Sequence, residues 1–142
     1  MRYVRTLLAL SLLSLLTFPL LAASRFGDYA GLMADVPFDF VVGNKVFPAG
    51  QCIIQPGSST FDTLLVRNLD AKVNQFAAAS RLETRNAAGT SALIFHKYGD
   101  RYFLSAIRVE GMNIQFKVPE SKAENELRAR QAPSTEQVVP SL

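Results

Sequence analysis

From Phe38 onward, the apolar positions of this chain recur at every second residue. In "VPFDFVV", Phe38, Phe40 and Val42 fall on one face and Asp39 and Val41 on the other, the period of a half-buried strand. "GNKVFPAG" follows, with glycine and proline where a chain reverses or starts again. "QCIIQ" and "TLLVRN" read as two further strands, and "NLDAK" as a tight turn into a long one, "VNQFAAASRLET". "SALIFHK" and "RYFLSAIRVE" are joined at Tyr98-Gly99-Asp100, and beyond Gly111 the run "NIQFKV" alternates Ile114, Phe116 and Val118 with Asn113, Gln115 and Lys117. Seven runs with short connections predict an antiparallel meander, because parallel pairing needs long crossovers. No helical period long enough for a crossover lies between them. One greasy face per strand has to be hidden, so residues 36–118 are expected to form an all-β domain, either a small barrel or a sandwich.

The pattern changes at both ends. In "PESKAENELRAR", Ser121 precedes Glu124 by the capping-box spacing, which predicts a short helix within 119–131. Residues 132–142 hold two prolines and no period, and are expected to be disordered. At the other end Arg2 and Arg5 precede an apolar run from Leu7 to Leu21 and then Ala22, Ala23 and Ser24. Basic, apolar and small residues in that order predict a secretory signal peptide over 1–24, cleaved after Ala23 or Ser24. The apolar run is shorter than the roughly 20 residues a membrane-spanning helix needs. An uncleaved anchor is the alternative, and the only membrane contact the sequence suggests. A polar, glycine-containing leader, 25–35, would follow. The expected location is the periplasm or the extracellular space.

Losing residues 1–24 removes two arginines and no acid, leaving thirteen basic residues against twelve acidic ones. Such a near-neutral chain of interspersed charge lacks the basic footprint of a nucleic-acid binder or of an anionic-lipid binder. One cysteine, Cys52, cannot form an internal disulfide; its alternation with Ile54 predicts burial, against pairing with another chain.

Candidate chemistry concentrates in "FHKYGDRYFLS". His96, Tyr98, Asp100 and Tyr102 are the candidate ligand-binding residues there. A turn explains the same residues: Gly99 supplies a positive φ, and Tyr98 and Tyr102 are expected to pair across the strands. If Leu93 and Phe95 face the core, His96 faces away from it. No nucleophile-elbow motif is present, and a Cys52–His96 dyad would need a tertiary coincidence. A single histidine and a single cysteine do not make a structural zinc site, so no metal and no cofactor are expected. Asp39, between two phenylalanines, is expected to point outward.

The stretches "VPFDFVVGNKVFPAG", "LLVRN", "LIFHKYGDRYFLS" and "PESKAENELRAR" together resemble a family of small secreted bacterial proteins of unassigned function. Its pattern runs PFDF, VGNK, PAG, FHxYGDxYFL and SKAExEL, and the likeness spans residues 36–130. The resemblance implies export and a family hairpin at FHxYGDxYFL, and it brings no catalytic residue. Cys52 departs from it, since that position is usually aromatic, as in PAGxYxV; the resemblance therefore implies no shared thiol chemistry. Three functions follow as expectations. The first is a non-enzymatic binding or envelope-associated interaction module with an unknown protein partner, which requires an exposed apolar patch or edge strand. The second is a carrier with a barrel cavity for a small apolar ligand, lined by Phe38, Phe40, Leu65, Phe103 and Phe116. The third is a hydrolase centred on His96, Asp100 and Tyr102, which requires a carboxylate within hydrogen-bond reach of His96.

Overall fold

The structure, a computed structural model, describes residues 31–142. The expected signal peptide and the first part of the leader lie outside the described residues. The rest is strand-rich, with two sheets facing each other and one short helix. The first sheet takes β1 (Leu32–Val36), β4 (Gly50–Pro56), β5 (Thr63–Asn68) and β6 (Val73–Ala78) in that spatial order, every neighbour antiparallel. In the second, β11 (Thr135–Pro140), β8 (Ala92–Tyr98), β9 (Arg101–Arg108), β10 (Ile114–Lys117) and β7 (Ser80–Glu83) lie side by side. The hairpin of β2 (Phe40–Val42) and β3 (Lys45–Phe47) attaches to the start of β9.

The two-residue period determines what lies between the layers. Leu32, Ala34, Val36, Cys52, Ile54, Leu64, Val66 and Ala77 point inward from the first sheet. Leu93, Phe95, Leu104, Ile107, Phe116 and Val139 meet them from the second. Phe40 closes one end, its ring 5.3 Å from Phe47 and 5.2 Å from Phe95. These distances are those of offset and edge-to-face aromatic pairs, which add to area burial. Cys52 is fully buried, as alternation with Ile54 predicts, and burial pushes its thiol up to about 11.

Of the two expected outcomes, barrel and sandwich, the architecture is the sandwich-like one, with no closed barrel, while several finer expectations are corrected. The sheets meet where the long run 73–83 passes from β6 into β7 at Ala79, whose N–H to the Asp62 carbonyl extends the β5–β6 ladder by one last pair. On the opposite side the Leu142 N–H reaches the Met33 carbonyl. Strands number eleven among the described residues rather than seven. Part of the leader forms β1, since Leu32, Ala34 and Val36 alternate with Met33 and Asp35 over too few residues to stand out in a glycine-containing stretch. Residues 135–140, expected to be disordered, form β11 against β8, with Val139 buried and Pro140 tolerated because β11 is an edge. The meander is also not wholly antiparallel. β2 runs alongside β9 in the same direction, at Val41 and Phe103.

The helix expected within 119–131 is present as α1 (Lys122–Ala129). Ser121 is its N-cap, and the Ser121 hydroxyl accepts the Glu124 N–H at 3.1 Å. At the other end Gln131 adopts φ +55, its N–H bonds the Arg128 carbonyl and the Ala132 N–H bonds the Leu127 carbonyl. That pair of bonds is a Schellman stop with glutamine in the position glycine usually fills.

Candidate functional site

Leu93 and Phe95 are fully buried in the core, so Ala92, Ile94, His96 and Tyr98 emerge on the outer face of the second sheet. On β9 the alternation is broken. Phe95 is opposite Leu104 and Ile94 is opposite Ala106, so Ser105 has no partner residue and sits in a β-bulge. Ser105 follows core-facing Leu104 and so shares the outer face with His96, and the bulge leaves it with no side chain opposite. Ile94, Tyr98, Phe103, Ser105 and Ala106 are all buried although they lie outside the core cluster between the sheets.

Four polar side chains meet on this face. Ser105 Oγ lies 2.9 Å from His96 Nε2, and His96 Nδ1 lies 2.6 Å from Glu124 Oε1. The Tyr98 hydroxyl donates to the same carboxylate oxygen at 3.3 Å. An ionised carboxylate only accepts, so Nδ1 is the donor. In the neutral ring Nε2 is then the acceptor and the Ser105 hydroxyl donates to it. Glu124 sits in the first turn of α1 with 2% of its side chain exposed, whereas the His96 side chain is 33% exposed. Burial first, and then the Glu124 charge, push the Tyr98 phenol above its ordinary value, which keeps it a donor. Glu124 therefore completes only half of the capping box: its N–H bonds Ser121, and its carboxylate turns to the sheet.

The arrangement has three chemical capacities. It fastens α1 to the sheet through buried, charge-assisted hydrogen bonds. Its order of hydroxyl, imidazole and carboxylate is that of a nucleophile, its base and the group that orients the base. A cation is the third possibility, since His96, Glu120 and Glu124 bring ligand atoms within 4.8 Å of one another. Glu120, however, is already paired with Arg128, and Glu124 already accepts from both His96 and Tyr98. The ligand set thus favours proton handling over a metal.

Of the residues singled out in the sequence, His96 and Tyr98 belong to this network. Asp100 and Tyr102 do not. Asp100 is exposed at the tip of the β8–β9 hairpin, where Gly99 takes φ +58. Tyr102 is opposite Lys97 rather than Tyr98 and stacks on Phe38, with ring centroids 3.8 Å apart. The expected Tyr98–Tyr102 pair is not formed, because the two side chains leave opposite faces of the sheet. Asp100, Tyr102 and Asp39 instead line a small cleft of about 140 Å³ beside Val46 and Arg101. Cys52 faces the core from the first sheet and has no contact with His96, which faces outward from the second. Asp39 is exposed, as alternation predicts, and accepts the Ala49 N–H at 2.9 Å.

Sequence reasoning missed Ser105 and Glu124. Glu124 was read as a capping residue only, and Ser105 as one more strand position. The usable signal was a serine within an otherwise apolar run, "FLSAI", facing the same hairpin as the sole histidine.

The outer face of the first sheet is organised differently. Met33 lies opposite Ile53, Leu65 opposite Phe76, and Ile53 and Leu65 are diagonal neighbours. These four form an apolar row across the sheet, with Met33 37% and Phe76 60% exposed.

No family model matches the chain, and no curated protein or solved structure matches it.

Proposed function

We propose that the protein is an exported interaction module that engages a partner protein through the outer face of the first sheet. The row Met33, Ile53, Leu65, Phe76 carries this reading. A phenylalanine left 60% exposed beside three other apolar side chains forgoes burial energy on the order of 25 cal/mol per Å² of apolar surface. The amino-terminal apolar run supports export.

The occupant is a protein rather than a lipid surface or a small molecule. Arg67 is the only cation among the strand residues of that face, too few to hold an anionic membrane. A small ligand needs a concave site that encloses most of its surface, and a sheet face of four strands is open. The carrier reading also loses its lining. Phe40 and Phe116 lie in the core, Leu65 on one outer face and Phe103 on the other.

A photo-crosslinking amino acid placed at Phe76 in the protein's own host tests the proposal. The expected result is one dominant adduct, lost when Leu65 is changed to Asp. Crosslinking no stronger than from exposed Arg130, at the end of α1, refutes it.

A further inference from the structure

We propose that Ser105, His96 and Glu124 form an acyl-transfer centre for short-chain carboxylic esters. Nucleophilic catalysis by serine requires a base within hydrogen-bond reach and a third group to orient that base. Both separations are present, 2.9 Å from Ser105 Oγ to His96 Nε2 and 2.6 Å from His96 Nδ1 to Glu124 Oε1. The three residues come from β9, β8 and α1, and only folding brings them together. Tyr98 adds a donor that fixes the Glu124 carboxylate, as second partners do in such relays.

The bulge is the second observation. Alternation from core-facing Leu104 already puts Ser105 on the outer face with His96, and the extra residue leaves it with no side chain opposite on β8, so that His96 is the group its hydroxyl meets. Access is from the imidazole side, because His96 is one-third exposed while Ser105 is 6% exposed and has Ala106 and Phe103 beside it on the same face. So little exposure at the serine argues for a short acyl group rather than a long acyl chain or a folded peptide. An ester also leaves as an alcohol, which asks less of the general acid than an amide.

The step is balanced. The Ser105 oxygen attacks the ester carbonyl carbon, His96 Nε2 takes the hydroxyl proton, and Glu124 stabilises the resulting imidazolium. The C–O bond to the alcohol then breaks, and His96 returns the proton to the leaving oxygen. Water repeats the sequence on the acyl-serine, releasing the carboxylic acid and restoring the hydroxyl.

The test is labelling of the purified protein with a fluorophosphonate probe, with the site read by peptide mass spectrometry, alongside turnover of p-nitrophenyl acetate. The expected result is a single adduct on Ser105, with labelling and turnover falling about a hundredfold or more in Ser105→Ala and in His96→Gln. Glutamine at 96 can still bond both neighbours but cannot take a proton, so a folded His96→Gln protein separates chemistry from structure. If it does not fold, Ser105→Ala, which removes one oxygen, carries the comparison. No adduct at Ser105, or equal labelling in a folded His96→Gln protein, overturns the proposal.

Discussion

Replacing Glu124 with alanine removes the acceptor that two donors share. Tyr98 is 6% exposed, so its hydroxyl loses its carboxylate acceptor without ready access to water and keeps only Ser134. Loss of a buried donor's charged acceptor costs about 1–3 kcal/mol. His96 is one-third exposed and can turn to solvent, so its lost bond is discounted to about 1 kcal/mol. An acid in the first turn of α1 contributes a further few tenths through the helix dipole. The sum is a loss of about 2–4 kcal/mol, equivalent to roughly 10–25 °C in melting temperature for a domain of this size. Glu124→Gln keeps one acceptor oxygen and is expected to lose about half as much. Urea unfolding followed by circular dichroism measures both. Titration of tyrosine absorbance supplies a second readout with a defined sign. The Tyr98 phenol is raised in the folded state, so its contribution to stability is intact below the ordinary tyrosine value of about 10 and is lost as pH rises beyond it. In Glu124→Ala, Tyr98 should titrate at lower pH than in the wild type while staying above the ordinary value, because burial, the larger cause, remains. An alanine variant within 0.5 kcal/mol of wild type, with tyrosine titration unchanged, refutes the view that Glu124 clasps the helix.

Three further outcomes are expected. Cys52 should resist thiol reagents at pH 8 in the folded protein and react at once in denaturant; its rise from 9.0 to about 11 also means that stability falls as pH climbs from 9 toward 11, by up to about 3 kcal/mol, and a flat urea midpoint across that window contradicts this. Deleting residues 135–142 uncovers the β8 edge and should lower stability and drive self-association on size exclusion, whereas a monomer of unchanged melting temperature shows that β11 adds nothing. Gln131→Gly relieves a left-handed backbone at φ +55 and should raise stability by about 0.5–1 kcal/mol in denaturant titration; a loss argues against the Schellman stop.

The sandwich was legible wherever alternation ran for five or more residues. "NIQFKV" placed Phe116 inward because a period of two has only one register that hides it, whereas "SALIFHK" left two facings open, since Ile94 is buried on one face and Phe95 on the other. It failed where the deciding force was not periodic. Thr135–Pro140 has no alternation to read, and it becomes a strand because β8 needs a neighbour on its open side. β3 is three residues long, with Lys45 and Val46 exposed and only Phe47 buried, too short a pattern to separate from a turn. The run 73–83 looked like one strand because nothing in "FAAAS" marks the bend that passes it from one sheet to the other.

The relay was illegible for a related reason. Its residues lie at 96, 105 and 124, and no local spacing connects a hairpin to a helix beyond the next strand. What joins them is the β8–β9 pairing and the contact of α1 with its outer face, and beside Ser105 lies a one-residue slip between Ile94 and Phe95 that alternation does not announce. The slip has a cost, since it leaves a ladder position unpaired and brings polar atoms to a face otherwise closed by Ile94, Tyr98, Phe103 and Ala106. Fastening a helix does not require it. Apolar side chains of similar volume often hold such contacts as well as a buried ion pair or better. A network that forgoes that simpler solution, and sets a hydroxyl against an imidazole held by a buried carboxylate, is better accounted for by the chemistry proposed for the hydroxyl than by the helix it helps to hold.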